Sequence, residues 1–340
     1  MHLHDLGWSD FFESAFRALP SDGLAPARVG REHDKGFLLF AESGEIAAQL
    51  SGRSRADGLR LAVGDWVAVR TDGIIEALLP RRSHFTRKTA GALTEEQPVA
   101  ANIDTLFLVS SLDGDFNIRR IERYLTLAWD GGASPVILLN KQDLCDDVEA
   151  RVAEAGSVAV GVPVHAMSAI DGVGLDPIRE RLAPGQTVAF LGSSGVGKSA
   201  LVNALLGAGT QSTGEVRESD GRGRHTTTMR ELFVRPEGGL IIDTPGMREL
   251  QLWADADALR LTFPEIDGAA RRCRFRDCTH EHEPHCAIHA GLDDGSITSA
   301  RFESFLRLRS EIESLERRKA QKKRTRSRKP SSAPEAEEWE

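Results

Sequence analysis

From Ala27 to about Phe85 the chain alternates short apolar runs with polar turns. ARVGREH, GFLLFAE, EIAAQLS, DWVAVR and GIIEALL each suit one strand, with Gly, Asp and Ser between them. Five such strands in succession predict a small closed barrel, and the OB-fold is the five-stranded member of that group. An SH3-like barrel would give nearly the same pattern. Residues 1 to about 25 read as a short helical lead-in that ends at LPSDGLAP.

The texture changes after a polar joining segment, TRKTAGALTEEQPVAAN. DTLFLVSSL and PVILLNKQD are apolar enough to be buried strands, and the helical NIRRIERYLTLAWDGG lies between them. VPVHAMSA, TVAFLGSS and GLIIDTPG add strands, and KSALVNALLG adds a helix. Strands alternating with helices predict a mostly parallel sheet covered on both faces. After about Trp253 comes a stretch rich in Cys and His, then the helical ITSARFESFLRLRSEIESLERRKAQKK. The expected organisation is multidomain. A lead-in (1–25) precedes an OB-fold-like barrel (26–88) and a linker (89–101). An α/β domain (102–254), a metal-binding and helical domain (255–316) and a flexible tail (317–340) follow.

Composition adds a compartment and a partner class. Apolar residues make up 40% of the 340, enough for folded domains rather than disorder. No apolar run approaches the roughly 20 residues of a membrane span. The start, MHLHDLGWSDFFESAF, lacks the basic and apolar stretches of a signal peptide. A cytoplasmic monomer with no membrane association is expected. The net charge of −8 conceals an asymmetry. Arg317 to Lys329 carries nine basic residues and the last eleven residues four acids, leaving −13 on residues 1–316. A basic arm on an acidic body suits a polyanion such as RNA. A solvated tail is the plainer alternative. In LLPRRSHFTRK, Phe85 stands among Arg81, Arg82, Arg87 and Lys88, which suits base stacking with phosphate contact. Equally, Phe85 is a core residue with a charged rim.

The chemistry is concentrated in a few motifs. Gly192-Ser193-Ser194-Gly195-Val196-Gly197-Lys198-Ser199, followed by Ala200, fits the phosphate loop G-x-x-x-x-G-K-[ST]. Its glycines let backbone amides approach a phosphate at the start of a helix. Lys198 would reach the β and γ phosphates, and Ser199 would hold Mg2+. Asn140-Lys141-Gln142-Asp143 ends a strand with N-K-x-D. Asp143 can accept from N1–H and the 2-amino group of guanine, whereas adenine would leave that carboxylate unpaired. Asn140 and the stem of Lys141 would support the loop and the base. Ser168-Ala169 matches the short segment that accompanies N-K-x-D in GTP-binding domains. Asp243-Thr-Pro-Gly246 gives D-x-x-G, with Asp243 meeting Mg2+ through water and the Gly246 amide sensing the γ-phosphate.

Between loop and D-x-x-G lies GEVRESDGRGRHTTTMREL, a polar segment suited to an ordering switch. Thr226, Thr227 or Thr228 would complete the Mg2+ shell, with Thr227 and Thr228 favoured. Met247 follows D-x-x-G, where many GTPases place a water-orienting glutamine. His225 is the substitute for that task, against the plainer reading of an exposed loop histidine. The motif order is unusual, because N-K-x-D and S-A precede the phosphate loop. A circular permutation of a GTPase domain explains it.

CRFRDCTHEHEPHC reads Cys273-x4-Cys278-x-His280-x5-Cys286. Three thiolates and an imidazole form the closed tetrahedral set of a structural zinc site. His282, His285 and His289 are alternatives for the fourth ligand. Cys145 stands apart.

This ensemble resembles the bacterial family of ribosome small-subunit-dependent GTPase A (RsgA, also called YjeQ). The permuted order, GRGRHTTT, IDTPGMRE, the metal spacing, VGDWV and PRRSHFTRK carry the resemblance over nearly the whole chain. It implies a late assembly factor of the 30S subunit, binding GTP or GDP, with weak hydrolysis stimulated by that subunit. It also implies contact with 16S rRNA by both flanking domains. His225 in hydrolysis and zinc at Cys273, Cys278, His280 and Cys286 follow from it too. The first 25 residues and the acidic end match nothing in the family. Two other readings compete: a P-loop kinase or ATPase, opposed by N-K-x-D with S-A, and an RNA-binding protein whose nucleotide only regulates it.

Overall fold

The computed structural model describes residues 1–20, 23–33, 35–88, 96–207, 230–243 and 256–327. A 3-10 turn, Leu3–Leu6, and helix α1 (Asp10–Arg17) lead in. The barrel follows: β1 (Leu24–His33), β2 (Gly36–Ala41), β3 (Gly44–Leu50), a short α2 (Gly52–Ala56), β4 (Trp66–Arg70) and β5 (Ile74–Leu78). Because β1 is long, it pairs with β4 through Leu24–Arg28 and with β2 through Ala27–His33. β3 runs antiparallel to β2 and parallel to β5, and β5 is antiparallel to β4. The circuit β1-β2-β3-β5-β4-β1 closes a five-stranded barrel of the OB type, as the turn pattern predicted. Alternate residues fill it: Ala27, Val29, Leu39, Ala41, Val67, Val69 and Ile75.

The lead-in caps this barrel. Trp8 meets Trp66 edge-on with ring centroids 4.7 Å apart, and Phe12 is fully buried beside them. Arg28, wholly inside, donates to carbonyls of Leu6, Gly64 and Asn102, so lead-in, barrel and central domain share one buried guanidinium. Burial lowers its pKa to about 10.

β6 (His84–Lys88) pairs antiparallel with β7 (Glu96–Ala101), so the polar joining segment ends in a strand. Phe85 on β6 is 3% exposed, and its ring lies against Gly131, where any Cβ would sit 2.2 Å from it. Arg81 pairs with Asp65 at 2.6 Å and Arg82 with Asp104 at 3.0 Å. Stacking of a base on Phe85 is therefore overturned: the ring is core, and these two arginines brace the fold.

The central domain continues with β8 (Thr105–Ser111), α3 (Ile118–Asp130), β9 (Ser134–Asn140), α4 (Val148–Val158), β10 (Val164–Ala166) and α5 (Asp176–Arg179). It ends with β11 (Thr187–Leu191), α6 (Lys198–Leu206), β12 (Glu231–Val234) and β13 (Leu240–Asp243). Strand residues divide by a period of two. Leu106, Leu108, Ile137, Leu139 and Leu191 face α3 and α4, while Phe107, Val109, Val136, Leu138 and Phe190 face α6. The sheet is parallel except at β12, where Arg31 of β1 faces Glu231 and joins barrel to sheet.

Helices α7 (Ala256–Thr262), α8 (Pro264–Ala270), α9 (Ala287–Asp293) and α10 (Ser299–Ser327) complete the chain. α10 buries Phe302, Leu308, Ile312 and Leu315 along one side. It docks on α3 through charge. Arg301 binds Glu122 and Glu265 at 2.6 Å each and lies over the Phe263 ring, and Arg123 forks onto Glu311. No helix among the described residues is long and apolar enough to cross a membrane.

Candidate active site and metal centre

Motifs in reversed chain order become neighbours in the sheet. Its order is β10-β9-β8-β11-β13-β12. The chain fills one half outward from β8, then restarts at β11 beside β8 and fills the other half. The crevice at the carboxyl ends of β8 and β11 is thus a topological switch point, where open α/β sheets bind ligands. Here the permutation is visible as topology: the strands that carry N-K-x-D and S-A precede β11, yet lie in one continuous sheet with it.

The phosphate loop joins β11 to α6. Gly192 passes so close to β8 that a Cβ would lie 2.3 Å from the Val109 carbonyl oxygen. Gly197 has φ +97°, and a Cβ there would lie 2.2 Å from Asn140 Nδ2. Both positions therefore require glycine. Lys198 Nζ donates to the carbonyls of Gly192 at 2.7 Å and Ser193 at 2.6 Å, which holds the ammonium over the loop. Val196 is buried beneath, while Ser194, Gly195 and Ser199 are exposed; Ala200 is half-buried.

Asn140 is the joint between the two halves. It is 2% exposed; its Nδ2 donates to Val196 O at 2.7 Å, and its Oδ1 accepts from Ala169 N at 2.9 Å. One side chain thereby ties N-K-x-D, S-A and the phosphate loop together. Lys141 takes the left-handed conformation, φ +63°, and Gln142 N bonds Met167 O at 3.0 Å. Ser168 is buried; its hydroxyl donates to Asp171 at 2.8 Å and so shapes the turn after β10. Asp143 is exposed, as are the apolar Leu144 next to it and Ile170 and Val173 in the turn after β10.

The loop from β8 to α3 supplies side chains that no motif announced. Asp113 accepts from Lys141 Nζ at 2.7 Å, from Ser111 Oγ at 2.8 Å and from Asp115 N at 3.0 Å. The Lys141 ammonium, then the Asp115 amide and the Ser111 hydroxyl, hold its pKa down to about 2. Asp115, Arg120 and Ser193 bond one another at 2.6–2.7 Å, so this loop also grips the phosphate loop. Arg120 first, then the Ser193 hydroxyl, keeps Asp115 below the usual carboxylate range. The only sequence signal was DGDFN, an acid-rich turn whose Asn117 caps α3.

Substituting Asp113→Asn should loosen Lys141 and raise the dissociation constant for GDP about five-fold, the scale of a half-exposed charged pair. Asp113 has a folded pKa below its unfolded value. Its contribution is present above about pH 4 and lost as pH falls through about 2. The difference between wild type and variant should therefore be flat around neutral pH in a fluorescent-nucleotide titration. A difference that vanished at neutral pH would contradict it.

Asp243 ends β13, whose Ile242 pairs with Ala189 of β11, three residues before the phosphate loop begins at Gly192. His225, Thr226, Thr227, Thr228, Gly246 and Met247 lie outside the described residues.

Cys273, Cys278, His280 and Cys286 bring their ligand atoms within 4.8 Å of one another. His280 Nδ1 is 3.7 Å from Cys273 Sγ and 3.5 Å from Cys286 Sγ, and those sulfurs are 3.9 Å apart. A tetrahedral ion with sulfur at about 2.3 Å and nitrogen at about 2.0 Å requires separations near ~3.8 and ~3.5 Å. The donor set and its spacing fit a metal ion. His280 is held with φ +65°. Glu283 accepts from Thr279 N, Thr279 Oγ1, Glu281 N and His282 N at 2.6–3.2 Å, bracing the backbone on both sides of it. Those bonds, the Thr279 hydroxyl first, keep Glu283 well below the usual carboxylate range. The alternatives fall away: His282 and His285 are exposed, and His289 Nε2 lies 3.2 Å from Glu281 O.

A sequence model described as RsgA GTPase matches residues 78–253. The small ribosomal subunit biogenesis GTPase RsgA of Opitutus terrae is 47% identical, over 92% of this chain and 90% of that one. This chain belongs to the RsgA GTPase family. The family members are GTP-hydrolysing enzymes, and this chain is one of them. The RsgA of Methanosarcina acetivorans is 43% identical, over 93% of this chain and 86% of its own. Among solved structures, YjeQ from Thermotoga maritima superposes with a TM-score of 0.66 at 29% identity, covering 85% of this chain and 98% of that one. YloQ, described as a circularly permuted GTPase, has a TM-score of 0.61 at 22% identity over 86% and 96%, and shares the fold.

Proposed function

We propose that this GTPase acts in the late assembly of the small (30S) ribosomal subunit, in the cytoplasm and as a monomer. The relatives named for small-subunit biogenesis support it, being 42–47% identical over 90% or more of the chain. The observation that carries the nucleotide part is the Asn140 joint, which unites the base end and the phosphate end in one site. In this reading Asp143 reads guanine, Lys141 and Ser168-Ala169 flank the base, and the amides of Gly192–Ala200 wrap the phosphates. Lys198 swings from the Gly192 and Ser193 carbonyls to the β and γ phosphates, as its flexible stem permits. Ser199 and Asp243, with Thr227 or Thr228, are hard oxygen donors suited to Mg2+. When bound, that ion neutralises charge developing on the β- and γ-oxygens. The Gly246 amide responds to the γ-phosphate, and His225 orients the attacking water.

The Cys3His set suits zinc, whose role here is structural because the four protein ligands leave no open position. The barrel and the metal-bearing domain are the parts that hold 16S rRNA. Co-sedimentation tests the reading: more protein should pellet with purified small subunits under a non-hydrolysable GTP analogue than under GDP. Equal pelleting with small and large subunits would contradict it. His225→Ala should leave GTP binding intact and abolish subunit-stimulated turnover; normal turnover in that variant would remove His225 from the mechanism.

A further inference from the structure

The turn pinned by Cys273 and Cys278 carries more than metal ligands. Residues 271–276 read Arg-Arg-Cys-Arg-Phe-Arg, four guanidiniums in six positions on an otherwise acidic body. Arg271 is paired with Asp267 at 2.7 Å, and Arg272 donates to Gly268 O at 3.0 Å at the end of α8. Arg274 and Arg276 are exposed and form no ion pair with a described residue. Phe275 between them is 42% exposed, with the Arg274 guanidinium 5.6 Å from its ring centroid. Both ends of the turn are held by metal-ligating sulfurs, and the Cys278 amide donates back to Phe275 O at 3.4 Å. Such a short, anchored turn gives the ring no route into the core. This is the opposite of Phe85, whose ring is buried and whose neighbouring arginines are paired.

An exposed aromatic face flanked by unpaired guanidiniums is the chemistry that stacks a nucleobase and neutralises the adjoining phosphates. Duplex RNA offers no free base face, so the fit is to unpaired nucleotides. We propose that the Arg271–Cys278 turn is a contact for unpaired RNA, with Phe275 stacking a base and Arg274 and Arg276 holding its flanking phosphates. This deepens the RNA-binding part of the proposed function and rests on it. The metal sets the platform: it fixes the turn before any RNA arrives, so little ordering entropy is lost on binding.

The test uses the full-length, metal-loaded protein, with metal content and melting checked for every variant. Binding of a labelled single-stranded oligoadenylate and of an RNA duplex is followed by anisotropy over a salt series. Phe275→Ala should weaken the single strand about 5- to 100-fold with its salt slope unchanged, and the duplex hardly at all. Phe275→Trp should restore binding. Arg274→Gln with Arg276→Gln should flatten the single-strand slope by about 1.4, two phosphate contacts' worth. A thiouridine-substituted single strand should cross-link to the peptide containing Phe275, which separates this contact from the basic tail.

The proposal is overturned if wild type does not bind the single strand. It is overturned equally if Phe275→Ala behaves as wild type, or if polyglutamate displaces the RNA as well as unlabelled RNA does, which would mark an acidic-protein contact. Subunit-stimulated hydrolysis is measured on the same wild-type preparation. If it is present while Phe275→Ala is silent, only this inference fails; if it is absent, the parent reading fails.

Discussion

Stripping the metal with a strong chelator under reducing conditions will unfold the segment from about Arg271 to Asp293 and leave the central sheet intact. Little else holds that segment. Its helix α9 is seven residues long, too short to persist alone, and the buried apolar side chains of the segment are chiefly Cys286 and Ile288. Apparent metal-binding energies in small zinc modules are about 10–16 kcal/mol, far above what this amount of buried surface supplies. Hydrogen exchange should therefore show protection lost over 271–293. Protection on β8, β9 and β11 should be unchanged, because α3 and α4 cover one face of their sheet and α6 the other. α10 should keep its amino-terminal half through Arg301 with Glu122 and Glu265. Full protection of 271–293 after complete metal loss would show that the cluster is dispensable for the fold.

Asn140→Ala should reduce affinity for both GTP and GDP by on the order of 100-fold or more. Its side chain satisfies a carbonyl of the phosphate loop and an amide of the S-A turn, inside a closely packed joint. Truncation leaves both partners without a bond, at about 1–3 kcal/mol each, and each ~1.4 kcal/mol is ten-fold in affinity. The loss should appear in binding more than in melting, because the joint lies at the strand ends rather than in the core. A fluorescent-GDP titration alongside a thermal melt separates the two. Near-normal affinity in a folded variant would mean that the loops hold their arrangement without this residue.

The features legible beforehand were those that depend on near neighbours. Short apolar runs between turn residues gave the barrel strands, continuous apolar runs alternating with helical segments gave the parallel sheet, and glycine spacing gave the phosphate loop on its strand–loop–helix. What decided OB over SH3-like closure was strand order, above all the parallel pairing of β3 with β5, which no local pattern encodes. The Asp113–Lys141 pair and the Asp115–Arg120–Ser193 cluster were illegible for the same reason: their partners meet only when β8, β9 and β11 align. Phe85 misled because an aromatic among arginines looks alike in both roles. Its burial is set by Gly131, on the turn after α3, and by acids at Asp65 and Asp104 that occupy the arginines. The fourth metal ligand was open among four histidines until the position of Nδ1 of His280 singled it out.

GTP hydrolysis by the full-length protein, measured alone and with purified small subunits, large subunits or whole ribosomes, tests the central claim most directly. A slow basal rate raised strongly by the small subunit, and little by the large, is the predicted result. A rate indifferent to the small subunit, in protein that binds GTP and carries its metal, would contradict the account.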